Sequence, residues 1–202
     1  MNPTDAARHK LGFLTLDQTV ALAERGIALL DPHSTLITPN VSLGVGIVIW
    51  PNVTLQGREG GEIGIDSGTT LFSGTRIVAA AGSVTIGTEA EIGDEGGFTI
   101  QALARDHRIA IGGGARLLGA GSLSQSNDIG TGAQILGPIR AQNCRLGGGQ
   151  SYRNPDPDER GGVLKGTGVA RNITVPKGHV IQAFGLFAGA PTRPQSFFHP
   201  KS

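Results

Sequence analysis

The chain holds one cysteine, one tryptophan, one tyrosine and one methionine among 202 residues, and only 4% of it is aromatic. A lone cysteine, Cys144, excludes an internal disulfide and fits a reducing compartment. With so few rings, the core must rest on Val, Ile, Leu and Ala. Charge is nearly balanced, 17 basic residues against 16 acidic ones, for a net charge of +1. The basic excess of a dedicated nucleic-acid surface is missing, so no nucleic-acid partner is expected. No apolar run approaches the ~18 residues of a membrane helix, so no membrane insertion is expected. The opening residues include Asp5, Arg8, His9 and Lys10 with no apolar stretch behind them, unlike a secretory signal. A cytoplasmic location is therefore expected. No set of His, Cys and carboxylates has metal-ligand spacing, and no metal is expected.

Glycine is what the chain has in excess: 33 of 202 residues, roughly twice its usual ~7% share. In "LITPNVSLGVGIVIWPNVTL", residues 36–55, a large aliphatic returns every six positions, at Ile37, Leu43, Ile49 and Leu55. A helix repeats its apolar face every three to four residues and a half-buried strand every two. A six-residue period signals a parallel β-helix. The fourth positions hold Asn40, Gly46, Asn52 and Gly74. Asn and Gly accept a left-handed backbone at low cost, so each hexad reads as a short strand and a tight turn. Three hexads close a triangular coil, which stacks Ile37 on Leu55. The period is followed through Ile63, Leu71, Ile77, Ile86, Ile92, Ile129, Ile135, Val163, Val169, Val175 and Ile181. Each coil buries its apolar side on its neighbours, so the stack is stable only as a group.

The expected organisation has three parts. Residues 1–30 form an N-terminal segment with a capping helix over 15–26. Thr15 and Gln18 make its capping box, Leu16, Val20 and Ala23 its apolar face, and Gly26 its end. Residues 31–183 form the all-β body, with loop insertions near 98–116 and 147–162. Residues 184–202 form a tail with Phe184, Phe187, Phe197 and Phe198, expected to pack on the body.

Several residues are candidates for chemistry. His107 stands beside Asp106 in an irregular polar segment and is the candidate catalytic base. The segment 147–162 gathers Tyr152, Arg153, Asn154, Asp156, Asp158 and Arg160, a candidate binding loop on a rigid scaffold. Lys165, Arg171 and Lys177 read as a basic stripe for a phosphate. His179 falls at the fifth position of a hexad and is a further binding candidate. Cys144 has no histidine near it in sequence and reads as a buried core residue.

The stretch "TVALAERGIALLDPHSTLITPNVSLGVGIVIWPNVTLQG" resembles the junction and first coils of the bifunctional N-acetylglucosamine-1-phosphate uridyltransferase/glucosamine-1-phosphate acetyltransferase family. A helix, a Gly, an Asp31-Pro32 turn and hexads with Pro-Asn corners follow in the same order over roughly residues 18–57. The later coils are similar to hexapeptide-repeat acyltransferases in general, and "FAGAPTRP" (187–194) to the segment that follows their last coil. The resemblance implies a left-handed parallel β-helix and a homotrimer. It also implies transfer of an acetyl or acyl group from acyl-CoA to an amino sugar or a nucleotide or phosphosugar, at a site shared between subunits. Two departures stand out. The nucleotidyltransferase half is missing, and "PIRAQNCRLGGGQS" (138–151) leads into no histidine, since residues 149–162 contain none. A non-catalytic β-helix that binds or scaffolds is therefore the alternative expectation.

Overall fold

The computed structural model describes residues 3–58 and 60–199. Its body is a left-handed parallel β-helix with three sheets, one to each side of a triangular coil. The first sheet stacks Ala28–Leu29, Val48–Ile49, Thr70–Leu71, Glu91–Ile92, Arg116–Leu118, Gln134–Leu136, then the start of Val163–Arg171 and of His179–Leu186. In register down its inner side stand Leu29, Ile49, Leu71, Ile92, Leu117, Ile135, Leu164 and Ile181. The second sheet aligns Ile37, Leu55, Ile77, Ile100, Leu123, Ala141 and Ala170. The third aligns Leu43, Ile65, Ile86, Ile111, Ile129, Leu146 and Val175. Nearly all of these are fully buried. Each Leu, Ile and Val among them contributes roughly 1.5–3 kcal/mol of apolar burial, which is how a chain poor in rings still builds one core.

The corners follow the expected turn chemistry with one exception. Gly46, Asn52 and Gly74 adopt φ of 69°, 61° and 79°. Asn40 instead works through its side chain: its Oδ1 accepts from the Thr38 hydroxyl at 2.7 Å and its Nδ2 donates to the Gly61 carbonyl at 2.9 Å.

The register corrects three of the assigned ladder positions. Ile63 stands under Val41, and it is Ile65 that continues Leu43. Late in the chain Leu164 and Ala170 point inward, whereas Val163 lies under Gln134 and Val169 under Arg140 on the outer side. The coils are unequal, so counting sixes along the sequence slips wherever a corner is long or short. The long corners between the second and third sheets fall between the strands Thr54–Gly57 and Glu62–Ile65, at 80–82 and at 103–107. Residues 98–116 are thus no insertion: Thr99–Ala102 and Arg108–Ile111 are regular strands, and only the turn 103–107 departs.

The N-terminal end is closed by more than the expected helix. A helix α1 (Pro3–Lys10) precedes it, too short and too charged to show an apolar period. Its buried polar side chains place it. Asp5 accepts the Leu16 N–H at 2.7 Å, while Arg8 donates to the Thr19 hydroxyl and to the carbonyls of Pro32 and His33. Helix α2 (Leu16–Val20) carries the Thr15–Gln18 capping box, and Gly26 ends the following 3₁₀ turn Ala21–Arg25 with φ 76°. Thr19 and Leu22 are buried while Val20 and Ala23 face out. At the other end, Thr192–Pro194 folds back antiparallel on His179–Leu186. That strand covers part of the last open edge. Phe187 is fully buried beneath the last coil, but Phe184 is 78% exposed, so only part of the aromatic tail packs. Among the described residues, no helix is long and apolar enough to cross a membrane.

Candidate functional site

A strand with its middle residue inward turns both neighbours outward. Three stacked strands do this at the carboxy-terminal end of the first sheet, around Ile135, Leu164 and Ile181. Their outward residues form two columns: Gln134, Val163 and Val180 in one, and Leu136, Lys165 and Gln182 in the other. These columns are the floor of a cavity of about 210 Å³. One wall comes from the loop 147–162, through Tyr152 and Arg160. The other comes from the tail, through Gln195, Phe198 and His199.

The loop is an ordered arch with pinned ends. Gln150 and Arg160 form a parallel bridge, with the Gln150 N–H donating to the Glu159 carbonyl at 2.8 Å. Asp156 caps the 3₁₀ turn Pro157–Glu159 by accepting the Asp158 N–H, and the Asn154 side chain accepts the Asp156 N–H. Arg160 Nε donates to the Asn154 carbonyl at 2.8 Å, which aims the rest of the guanidinium. Lys177 pairs with Glu159 on the outside. The tail is latched to the arch. Gln195 Nε2 donates to the Gly161 carbonyl at 2.7 Å, and the Ser196 N–H donates to Asp158 Oδ1 at 2.9 Å. Tyr152 is set against two guanidiniums, Arg116 at 4.0 Å and Arg153 at 4.9 Å from its ring centroid. Arg116 is itself held by Glu91 at 2.8 Å.

The residues singled out in the sequence fall into two groups. Tyr152, Arg160 and Lys165 line one cavity. Arg153, Asn154 and Asp156 belong to the arch without lining the cavity, and Lys177 pairs with Glu159 from outside it. The proposed basic stripe does not form. Arg171 lies on the second sheet, with its Nε bonded to Gln142, and Lys177 is engaged by Glu159. His179 stands half-buried where the last coil begins, its Nδ1 2.8 Å from the Lys177 carbonyl. His107 lies in the turn 103–107 and lines no part of this cavity. Its Nδ1 accepts the Ala104 N–H at 3.3 Å, so its partner is backbone and not the Asp106 carboxylate. Cys144 is buried between Asn127 and Ile173 on the inner side of the third sheet. Its thiol donates to the Ala170 carbonyl, and burial pushes its pKa above the ordinary thiol range. Among the described residues, no three of His, Cys, Asp and Glu gather as a metal site would require.

The cavity residues that sequence reasoning passed over are Gln134, Gln182, Gln195 and His199. Glutamine carries no chemical signature, and a tail histidine carries little more. Only the coil register brings them together.

No family model and no curated protein matches the chain. Among solved structures, it is similar to a mutant perosamine N-acetyltransferase from Caulobacter crescentus in complex with CoA and GDP-perosamine. The identity is 14% and the TM-score 0.27, over 94% of this chain and 65% of that one. This chain thus spans just under two thirds of that protein's length, and CoA and GDP-perosamine are that protein's ligands.

Proposed function

We propose that this chain is a hexapeptide-repeat transferase that moves an acyl group from acyl-CoA to the amine of an amino sugar, carried as a phosphosugar or nucleotide sugar. The observation that carries this reading is the cavity. It combines two cations, Arg160 and Lys165, with carboxamides and the Tyr152 ring, groups that suit a phosphorylated polyol. The resemblance of residues 18–57 to the acetyltransferase family supports the acyl donor.

In such a transfer the acceptor nitrogen attacks the thioester carbonyl. The tetrahedral intermediate then collapses with loss of the CoA thiolate, and the nitrogen gives its proton to a base. Of the three imidazoles outside the terminal segments, His33 sits in the turn before the first coil at the far end from the cavity, and the other two are prepared differently. In His179 Nδ1–H donates to the Lys177 carbonyl, so in the neutral ring Nε2 is the acceptor. In His107 Nδ1 accepts from Ala104, so in the neutral ring Nε2 carries the proton and acts as a donor. His179, next in the chain to the cavity-lining Val180, is therefore assigned as the base in place of His107, which lies away from the cavity.

The test is release of CoA thiol from acetyl-CoA in the presence of amino-sugar phosphates and nucleotide amino sugars. Turnover that falls at least 100-fold in His179→Gln, with acetyl-CoA affinity kept, supports the assignment. A fall in His107→Gln alone reverses the assignment. A second reading, a non-catalytic β-helix that binds the same sugars, is favoured by one observation: neither His107 nor His179 lines the cavity. Sugar binding without acetyl-CoA binding at millimolar concentration would select it.

A further inference from the structure

The cavity of Arg160 and Lys165 is built by a single chain. Its lining is one-signed. Arg160 and Lys165 face it, and no carboxylate lines it among the described residues. The carboxylates of the arch, and Glu91 on the sheet beside it, are engaged elsewhere: Glu91 by Arg116, Glu159 by Lys177, Asp156 by the Asp158 N–H and Asp158 by the Ser196 N–H. Among the described residues the Lys165 ammonium makes no hydrogen bond or ion pair, and Arg160 spends only its Nε, on the Asn154 carbonyl. Two cations lining one cavity that has no lining carboxylate favour an anion as its occupant. The volume, about 210 Å³, exceeds the space of a few waters and suits a phosphate with a small polyol attached. Gln134 and Gln182 supply carboxamides for the hydroxyls.

We infer that this cavity is a phosphate-binding site for a small phosphorylated molecule, completed within one chain by the C-terminal tail closing on the 147–162 arch. Floor, arch and tail all belong to the same chain, and the tail is latched by the Gln195–Gly161 and Ser196–Asp158 bonds. The ligand's phosphoryl group lies between the Lys165 ammonium and the Arg160 guanidinium, and its polyol end meets the carboxamides. This rests on the cavity being the sugar site, but not on acyl transfer.

The experiment titrates the full chain with inorganic phosphate, glucose 1-phosphate, glucose and acetate at matched ionic strength. The readouts are melting temperature and calorimetric binding. Glucose 1-phosphate should bind most tightly and phosphate next. Glucose and acetate should be at least ten-fold weaker. Lys165 is exposed, so Lys165→Met should melt like the parent without ligand yet lose phosphate affinity at least ten-fold, and Lys165→Arg should recover most of it. A parent and a Lys165→Met variant that bind glucose 1-phosphate equally would overturn the site. Equal binding of glucose and glucose 1-phosphate would overturn its phosphate specificity. Binding that vanishes when the protein is diluted to single chains would overturn its completion within one chain. Acyl transfer that is intact while phosphate binding is insensitive to Lys165 would sink this inference alone. Lysine-dependent phosphate binding without CoA release would sink only the transferase reading.

Discussion

Arg116 lies over the ring of Tyr152, its guanidinium carbon 4.0 Å from the centroid, although 36 positions separate the two in sequence. The side chain is about one-fifth exposed and its Nε is bonded to Glu91 at 2.8 Å. This contact fastens the arch 147–162 to the first sheet at its middle, whereas backbone bonds fasten only its ends. Arg116→Met keeps the aliphatic stem and removes both the ion pair and the cation–π contact. At such a site these are worth about 1 kcal/mol together. We expect a small loss of global stability but clearly faster amide exchange confined to residues 150–160. Tyr152 is the only tyrosine, so its fluorescence anisotropy reports the same loosening. Unchanged exchange would show that the ends alone hold the arch.

Ile49 is fully buried between Leu29 and Leu71 on the inner side of the first sheet. Ile49→Asp places an unpaired charge there and costs several kcal/mol, enough to leave the protein insoluble or unfolded. Ile49→Val removes one methylene and should cost about 0.5–1.5 kcal/mol. Urea denaturation separates the two. An Asp variant that melts like the parent would refute the inward assignment.

Gly166 has φ of 121°, and a Cβ built on it would lie about 2 Å from the Ala183 carbonyl oxygen of the next coil. Backbone strain and the clash act together, so Gly166→Ala should lose at least about 3 kcal/mol. Gly189 offers the control, with open space around it and no left-handed backbone. Gly189→Ala should change the urea midpoint hardly at all.

Cys144 is 2% exposed and its thiol pKa is raised by burial. A thiol reagent should fail to label the native protein near pH 8 and should label one equivalent in denaturant. The pH dependence has a definite sign. The folded chain keeps its proton at pH values where the unfolded chain has lost it. The thiol's contribution is therefore fully present below its unfolded pKa of about 8.5 and declines as pH rises through the raised folded value. Melting temperature should fall more steeply above about pH 8.5 in the parent than in Cys144→Ala. Parallel slopes would count against a buried neutral thiol.

The outer side of the first sheet carries an apolar column away from the cavity, where Trp50 stacks on Phe72 at 5.7 Å and remains 40% exposed, with Leu30 above at 55%. We propose association of three chains, as the resemblance implies. Light scattering should give about three times the 20.8 kDa chain mass. Emission from Trp50, the only tryptophan, should be blue-shifted and should redden on dilution. A mass of one chain at micromolar concentration would refute the trimer.

Much of the scaffold was legible in the sequence because its rule is local. An aliphatic at every sixth residue has only one side of a triangular coil to occupy, so Ile37, Leu43, Ile49 and Leu55 declared the fold from one stretch of chain. The Thr15–Gln18 cap and the Gly26 stop are also local, since each depends on residues within one turn. The arch declared itself as polar sequence rich in turn residues, which is why Tyr152, Arg160 and Lys165 could be named beforehand. The cavity could not be read in the same way. Coils stack about 4.8 Å apart whatever their length in residues, so Gln134, Val163 and Val180 become neighbours although 29 residues separate one pair and 17 the next. A miscount of one at any corner exchanges inward for outward positions, as it did at Leu164 and Ala170. The sequence by itself determined that coils form and which residues fill the first of them. The tertiary structure alone decided which outward residues meet, because that depends on the summed lengths of every corner between them.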